Sequence, residues 1–389
     1  MSMSGAIGRR ALVMGTSGFG FEIALALARA GASVTLAGRA REQSEVNRMI
    51  DKLKGATDWS AARYRRGRAK EDPYNHRFVE VDYTDLRTVR RAARECLQKG
   101  GAGVPDWLVM GHAVNGLALN RTRDGFHEGL QIHYLTRILL TRLLVDAMCE
   151  ESLDPRIMTM LGTVDYDEGM GQDEFLSRVQ GDMREGRNLP QKKFEKAVDG
   201  WLGIWQRGKA YRTASLYTDL FFHRLSEEFG ALAVIHADLP VVPHADFGKG
   251  LPMPLRHLAR ALAKVHPASK SADEAAVGLV TTFLSSAPGY HLVDKDGKSL
   301  PLADNVKEGK FASDYVWRRT LGLLELAGWK EQPGWKQRGE EPAGVPPEWD
   351  MSLEGMQDLS VDMRRALPQS MPAAPGRATN PGGDPDKTT

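Results

Sequence analysis

The stretch Ala11-Leu-Val-Met-Gly-Thr-Ser-Gly-Phe-Gly-Phe-Glu-Ile-Ala-Leu-Ala-Leu-Ala-Arg-Ala-Gly-Ala-Ser-Val-Thr-Leu-Ala-Gly-Arg39 decides the fold. Its parts come in a demanding order. Ala11–Val13 is a short apolar strand that runs into a turn containing Gly15, Gly18 and Gly20. An amphipathic helix follows, with Ile23, Leu25, Ala26 and Leu27 as inward positions. A second apolar strand, Ser33–Ala37, ends at Gly38-Arg39. Strand, glycine turn, helix and strand make the first βαβ unit of a dinucleotide-binding sheet. Glycines let the backbone approach a pyrophosphate, and the helix N-terminus offers free N–H groups to the anion. Gly15, Thr16, Ser17, Gly18 and Gly20 are therefore candidate cofactor contacts. Arg39 stands at the strand tip, where a cation would meet the 2′-phosphate of NADP.

The 389 residues suit one large α/β core with appendages, and 42% hydrophobic content can fill it. A net charge of +2 gives no general attraction to nucleic acid or to an anionic membrane. The two cysteines, Cys96 and Cys149, imply a reducing compartment and no disulfide framework. No metal-ligand spacing occurs, so no metal is expected. No apolar run reaches transmembrane length. The first strand begins by about residue 10, which leaves no room for a cleavable signal peptide. Cytoplasm is the default; Met1–Arg10 carries two arginines and no acid, which keeps a mitochondrial matrix address open.

Phe78–Asp82 reads as the third strand, far downstream of Arg39. The interval holds a helical piece, Glu42–Leu53, and the basic run Arg63–Lys70, in an insertion spanning about 54–77. Helices follow at Asp85–Gln98, Phe126–Cys149, Tyr211–Phe229, within 250–288 in two pieces, and at Ala312–Ala327. Strands fall at Asp106–Met110, Arg156–Leu161, Ala231–His236 and Tyr290–Asp294, the last followed by a turn at Lys295–Lys298. Residues 164–208 form a long insertion, acidic first and basic later. From 330 onward the chain is rich in proline and reads as a largely extended tail. Trp329 and Trp335 in its first part favour packing against the chain's own body.

The order of these segments resembles the short-chain dehydrogenase/reductase family over about residues 10–328, and resembles most a fungal-type subgroup. Gly15–Gly20, Leu108–Met110, His133-Tyr134, Tyr217 with Asp219, and Val316-Trp317 with Thr320 carry the likeness. The resemblance implies a doubly wound Rossmann-type domain over 1–329, with a mainly parallel sheet of about seven strands, and 330–389 as the tail. It also implies a nicotinamide cofactor, pairing of subunits through the fourth and fifth helices, and an adenine pocket at Asp82 and Tyr83. Carbonyl–alcohol chemistry in this family uses a tyrosine acid, a lysine four residues later, a serine after the fifth strand and a helix-four asparagine. Carried over, the tyrosine is Tyr211 and the lysine position holds Ser215. The serine position is Gly162, with Thr163 beside it as a substitute orienter, and the asparagine position is His133. A neutral hydroxyl at 215 cannot supply the positive field that lowers a phenol's pKa from ~10. The turns after the fourth and sixth strands, Gly111-His112-Ala113 and Pro240–Ala245, are also rewritten.

Two functional expectations follow. In one, the chain has a dismantled catalytic tetrad and is a structural or regulatory subunit of a larger assembly that retains NADP(H), its tail and insertions facing a protein partner. In the other, it is an NADP-dependent oxidoreductase acting on a carbonyl or alcohol, with Tyr211 or Tyr217 as acid and Thr163 as orienter. His112, His236 and His244 are read as loop histidines, and His133 as a histidine satisfied within an apolar helix.

Overall fold

The computed structural model describes residues 6–40, 42–64, 74–98, 102–112, 122–126, 128–161, 201–238, 257, 261 and 271–326; side chains at 58–64, 201–213 and 326 are not described. All of these lie in the first of two units, Met1–Arg338, and the Pro-rich tail and residues 164–200 fall outside them. Among the described residues, eight strands form one sheet: β1 (Arg10–Met14), β2 (Ser33–Gly38), β3 (Arg77–Glu80), β4 (Trp107–Met110), β5 (Arg156–Met160), β6 (Ala233–Ala237), β7 (Gly289–Val293) and β8 (Ser299–Leu300). Their order is β3-β2-β1-β4-β5-β6-β7-β8, parallel through β7. The expected seven become eight because the turn after β7 returns an antiparallel strand of two residues, too short to leave a period in the sequence. Gly297, at φ +77°, closes that turn with its N–H on the Asp294 carbonyl.

The strands read as unbroken apolar runs because helices cover both faces of a parallel sheet. Trp107, Leu108, Val109 and Met110 of β4 are all buried. On one face α1 (Gly18–Arg29) buries Ile23, Ala24, Ala26 and Leu27, with Leu25 half-buried at the margin of the same core. On the other face α3 (Leu86–Leu97) turns Leu86, Val89, Ala92, Ala93 and Cys96 inward, a 3.6-residue stripe. The Asp85 carboxylate caps it by accepting from the Arg87 N–H at 3.0 Å.

Two helices are longer than their sequences suggest. The second, α2, runs Gln43–Tyr64, so residues 54–64 of the expected insertion are helical; Gly55 interrupts its apolar period without breaking it. The helix α5 runs Trp201–Glu228, ten residues earlier than the expected start, through Gly203 and Gly208. The expected helix Phe126–Cys149 is in fact three pieces: a helical turn at Glu128–Leu130, a wider π-type turn at Gln131–Leu135, and α4 (Thr136–Glu151). Thr136 donates its N–H to the Gln131 carbonyl, five residues back.

Four further contacts cover α4 and α5 from outside. After α6 (Ala272–Ser285) and the short α7 (Asp304–Lys307), α8 (Lys310–Leu326) lies along them. Tyr134 and Thr320 share a hydroxyl hydrogen bond at 2.6 Å. Trp317 stacks on Phe221 at 4.4 Å, and the Arg142 guanidinium sits 5.2 Å from the Trp317 ring centre. Arg224 pairs with Asp314 at 3.6 Å. The last described helix, α8, thus lies against α4 and α5.

His236 is not a loop residue. It lies within β6, fully buried, with Nδ1 on the Asp219 carboxylate of α5. Tyr290 of β7 donates its hydroxyl to the same Asp219 oxygen at 2.5 Å. One buried carboxylate therefore ties α5 to two neighbouring strands. The expected strand already ended on His236; β6 runs one residue further, to Ala237, so His236 is an interior strand residue and not the start of the following loop. Removing one member of a buried, hydrogen-bonded charged set costs about 3–5 kcal/mol, because the partners stay buried without it. Asp219→Ala is expected to lower unfolding stability by about that amount in urea titrations, and Asp219→Asn, which keeps an acceptor, by clearly less. A loss under about 1 kcal/mol for Asp219→Ala would show that the carboxylate does not hold α5 to the sheet.

Candidate functional site

The strand order reverses between β1 and β4, and in such sheets ligands sit beyond the C-terminal ends of the strands at that point. The backbone there is crowded. Gly15 has φ +123° and Gly18 φ +59°, both in the region that side chains avoid. A Cβ on Gly15 would stand 3.3 Å from the Gly111 backbone, and one on Gly20 would stand 3.3 Å from the Gly15 carbonyl oxygen. A Cβ on Gly111 would meet Gly20 Cα at 3.0 Å and Met160 Cε at 2.4 Å. Three glycines from two strand ends and one helix therefore touch backbone to backbone. The rewritten turn after β4 explains itself here: Gly111 is required by this approach, a constraint that its sequence neighbours do not reveal.

The glycine turn leads into α1 with Ser17 as N-cap, and the Ser17 side chain makes no capping bond. The first-turn N–H groups stay available to an anion. Thr16 donates its hydroxyl to the Arg39 carbonyl at 3.3 Å, which joins the turn to the tip of β2. The Arg39 side chain is exposed. Gly15, Thr16, Ser17, Gly18, Gly20 and Arg39 thus lie together at the ends of β1 and β2.

Asp82 and Tyr83 follow β3. Asp82 Oδ1 accepts from the Thr84 N–H at 3.0 Å and the Thr84 hydroxyl at 2.7 Å, so it shapes its own turn. Tyr83 reaches across the sheet ends. Its hydroxyl donates to the Ala37 carbonyl at 2.6 Å, the same oxygen that receives the Gly15 N–H at 3.0 Å. Its ring stacks on His112 at 4.3 Å between centres and 26° between planes. Burial pushes the Tyr83 phenol above its ordinary range, so the hydroxyl stays protonated and donates. Its carbonyl accepts from Gln131 Nε2 and from the Thr136 hydroxyl, both at 3.2 Å.

His112 is 3% exposed. Burial first, and then the positive charge of Arg137, hold it well below the ordinary imidazole range, so the ring is neutral. Among the described residues its two ring nitrogens make no well-formed hydrogen bond, although the Ile132 backbone lies within weaker polar reach. Arg137 is fully buried, donating to the Thr159 hydroxyl at 2.5 Å and to the His112 carbonyl at 2.7 Å. It fixes a positive charge beneath the C-terminal edge, and nothing in the sequence of α4 singles it out from Arg142.

His133 lies in the π-type turn, 6% exposed. Ser215 is fully buried in α5. Tyr217, the alternative acid, is 2% exposed and packs edge-on against Tyr134, a core position out of reach of a substrate. The backbone of Tyr211 lies in α5, but its side chain, Gly162 and Thr163 fall outside the described residues, as does His244. Among the described residues no cluster of His, Cys, Asp or Glu could hold a metal, and no helix is long and apolar enough to cross a membrane.

No protein-family model matches the chain. It is 27% identical over 170 residues to human polyprenol dehydrogenase, covering 42% of this chain and 45% of that protein. It is 26% identical over 230 residues to human dehydrogenase/reductase SDR family member 13, covering 58% and 49%. The chain thus matches about half the length of these curated relatives. Among solved structures, L-sorbose reductase from Gluconobacter frateurii, held with NADPH and L-sorbose, superposes with a TM-score of 0.50 at 17% identity, over 77% of this chain and 100% of that one. That last likeness is one of fold. Taken with the strand order and the glycine turn, these matches make the chain similar to proteins of the short-chain dehydrogenase/reductase family.

Proposed function

We propose that the protein binds NADP(H) beyond the C-terminal edge of β1 and β4 but does not use it for hydride transfer at an ordinary rate. It serves instead as a binding or regulatory subunit. The observation that carries this is Ser215: a neutral, fully buried hydroxyl stands where the family resemblance places a lysine. When bound, the nicotinamide ring gives or takes a hydride; what a chain adds is position and a tuned proton donor. Here the adenosine side is well supplied. The glycine turn lets phosphate oxygens approach, the α1 N-terminus offers its amides, and Arg39 faces solvent at the tip of β2, where a 2′-phosphate would lie. On the proton-donating side, position 215 holds a serine where the resemblance places the cation that would lower a phenol's pKa. The tryptophan-bearing tail and the 164–208 insertion belong, in this reading, to contacts with a protein partner.

A second reading, an oxidoreductase with Tyr211 as acid and Thr163 as orienter, draws support from Arg137. Its buried guanidinium places a fixed positive charge under the same edge. Oxidoreductase and dehydrogenase names among the relatives point the same way.

Titration with NADPH, read by fluorescence and by melting temperature, separates the two. Saturable binding at micromolar nucleotide, with no turnover of generic ketones, is expected. Steady turnover by the unaltered protein would overturn the subunit reading in favour of the second. Arg39→Ala is expected to weaken NADPH binding about tenfold and to leave NADH binding unchanged, since a charged hydrogen bond to phosphate is worth ~1.5–3 kcal/mol. Equal losses for both nucleotides would remove Arg39 from the 2′-phosphate. Ser215→Lys is expected to create ketone reduction at least ~100-fold above the wild-type background, the low end of general acid catalysis. No gain would mean that the missing ammonium is not what silences the site.

A further inference from the structure

The ring of Tyr83 crosses the ends of three strands. It starts after β3, hydrogen-bonds at the end of β2, and stacks on His112 just past β4, passing the Gly15 turn on the way. That path runs over the point where the strand order reverses. A planar ring lying face to face on a second planar ring at 4.3 Å is the arrangement that a purine base takes on an aromatic side chain. We propose that Tyr83 occupies a purine slot of its own protein: its hydroxyl latches on the Ala37 carbonyl, and an adenine base enters only when that latch opens. The proposal rests on the dinucleotide reading above and adds to it the residue that controls entry.

His112 supplies the platform. Its imidazole is buried and neutral, so a base that takes the place of the Tyr83 ring meets an uncharged aromatic face. The floor beneath is held in place independently of Tyr83's ring. Arg137 grips the His112 carbonyl, while Gln131 and Thr136 grip the carbonyl of Tyr83. Opening the latch therefore asks for a side-chain rotation, with the backbone on both sides staying where it is.

Tyr83→Phe tests this, because it keeps the ring and removes the latch. Binding of NADPH and of 2′,5′-ADP, the adenosine half alone, is measured by calorimetry for wild type and variant. Both ligands are expected to bind the variant about three- to tenfold more tightly, the worth of one ordinary hydrogen bond. Equal or weaker binding by Tyr83→Phe overturns the latch and leaves the dinucleotide reading standing. Tightening seen with NADPH but not with 2′,5′-ADP also overturns it, since the control would then lie outside the base slot. If neither protein binds either ligand, the latch and the dinucleotide reading fall together. A measurement on the wild-type protein guards against a poorly folded variant. The His112 ring-proton resonances should move on addition of 2′,5′-ADP as one stacking partner replaces another, and resonances that stay fixed while the ligand binds overturn the proposal.

Discussion

Everything at the C-terminal edge depends on a backbone crossing. Gly15 follows β1, Gly111 follows β4 and Gly20 sits in the first turn of α1, and a methyl group on any of them would press on the backbone of another. Parallel strands leave no short connection between neighbours, so a sheet of this order places β1 beside β4 only through long crossovers. The glycine contact lets those crossovers close without prising the strand ends apart. It also lowers α1 onto the sheet, which aims its first-turn amides at the crevice. The anion-binding geometry and the packing are thus one arrangement.

Much of this was legible from residues alone. The run Ala11–Arg39 announces its strand, turn, helix and strand because each carries its own chemistry: an apolar run, glycines, a 3.6-residue stripe, and a second run. The buried strands β4 and β5 were equally plain. Where the reading fell short, the cause was physical. Residues 54–64 and 201–210 are helical although glycines interrupt their patterns, since neighbouring structure outweighs a local preference of about 1 kcal/mol. The return strand β8 has too few residues to show a period. His236 looked like a loop residue because its function is set by Asp219, which stands on a different element. Gly111, His112 and Arg137 belong to the site through contacts with distant strands, and no spacing rule in one segment encodes such a meeting.

The two halves of the crevice differ in kind. On the side of β1 and β2, backbone groups and glycines dominate, and Arg39 is an exposed charge at its rim. On the side of β5 and β6, charge and hydrogen bonding are buried: Arg137 over Thr159, and Asp219 between His236 and Tyr290. Thr159 and His236 face each other in register on adjacent strands, so these two buried groups lie side by side within the sheet's covered face. Such a network holds its geometry stiffly, because each member loses its partner if another moves.

The wide turn at Gln131–Leu135 has an implication for how chains of this architecture are compared. A π-type turn accommodates one residue more than an α turn, and each residue of a helix advances it by about 100°. A homologue lacking that residue would keep α4 seated on the sheet while every side chain before the turn faced a new direction. Gap-free matching through this helix would then pair positions that point to different neighbours, His133 among them, and only a one-residue shift placed inside the turn would bring the two chains back into step.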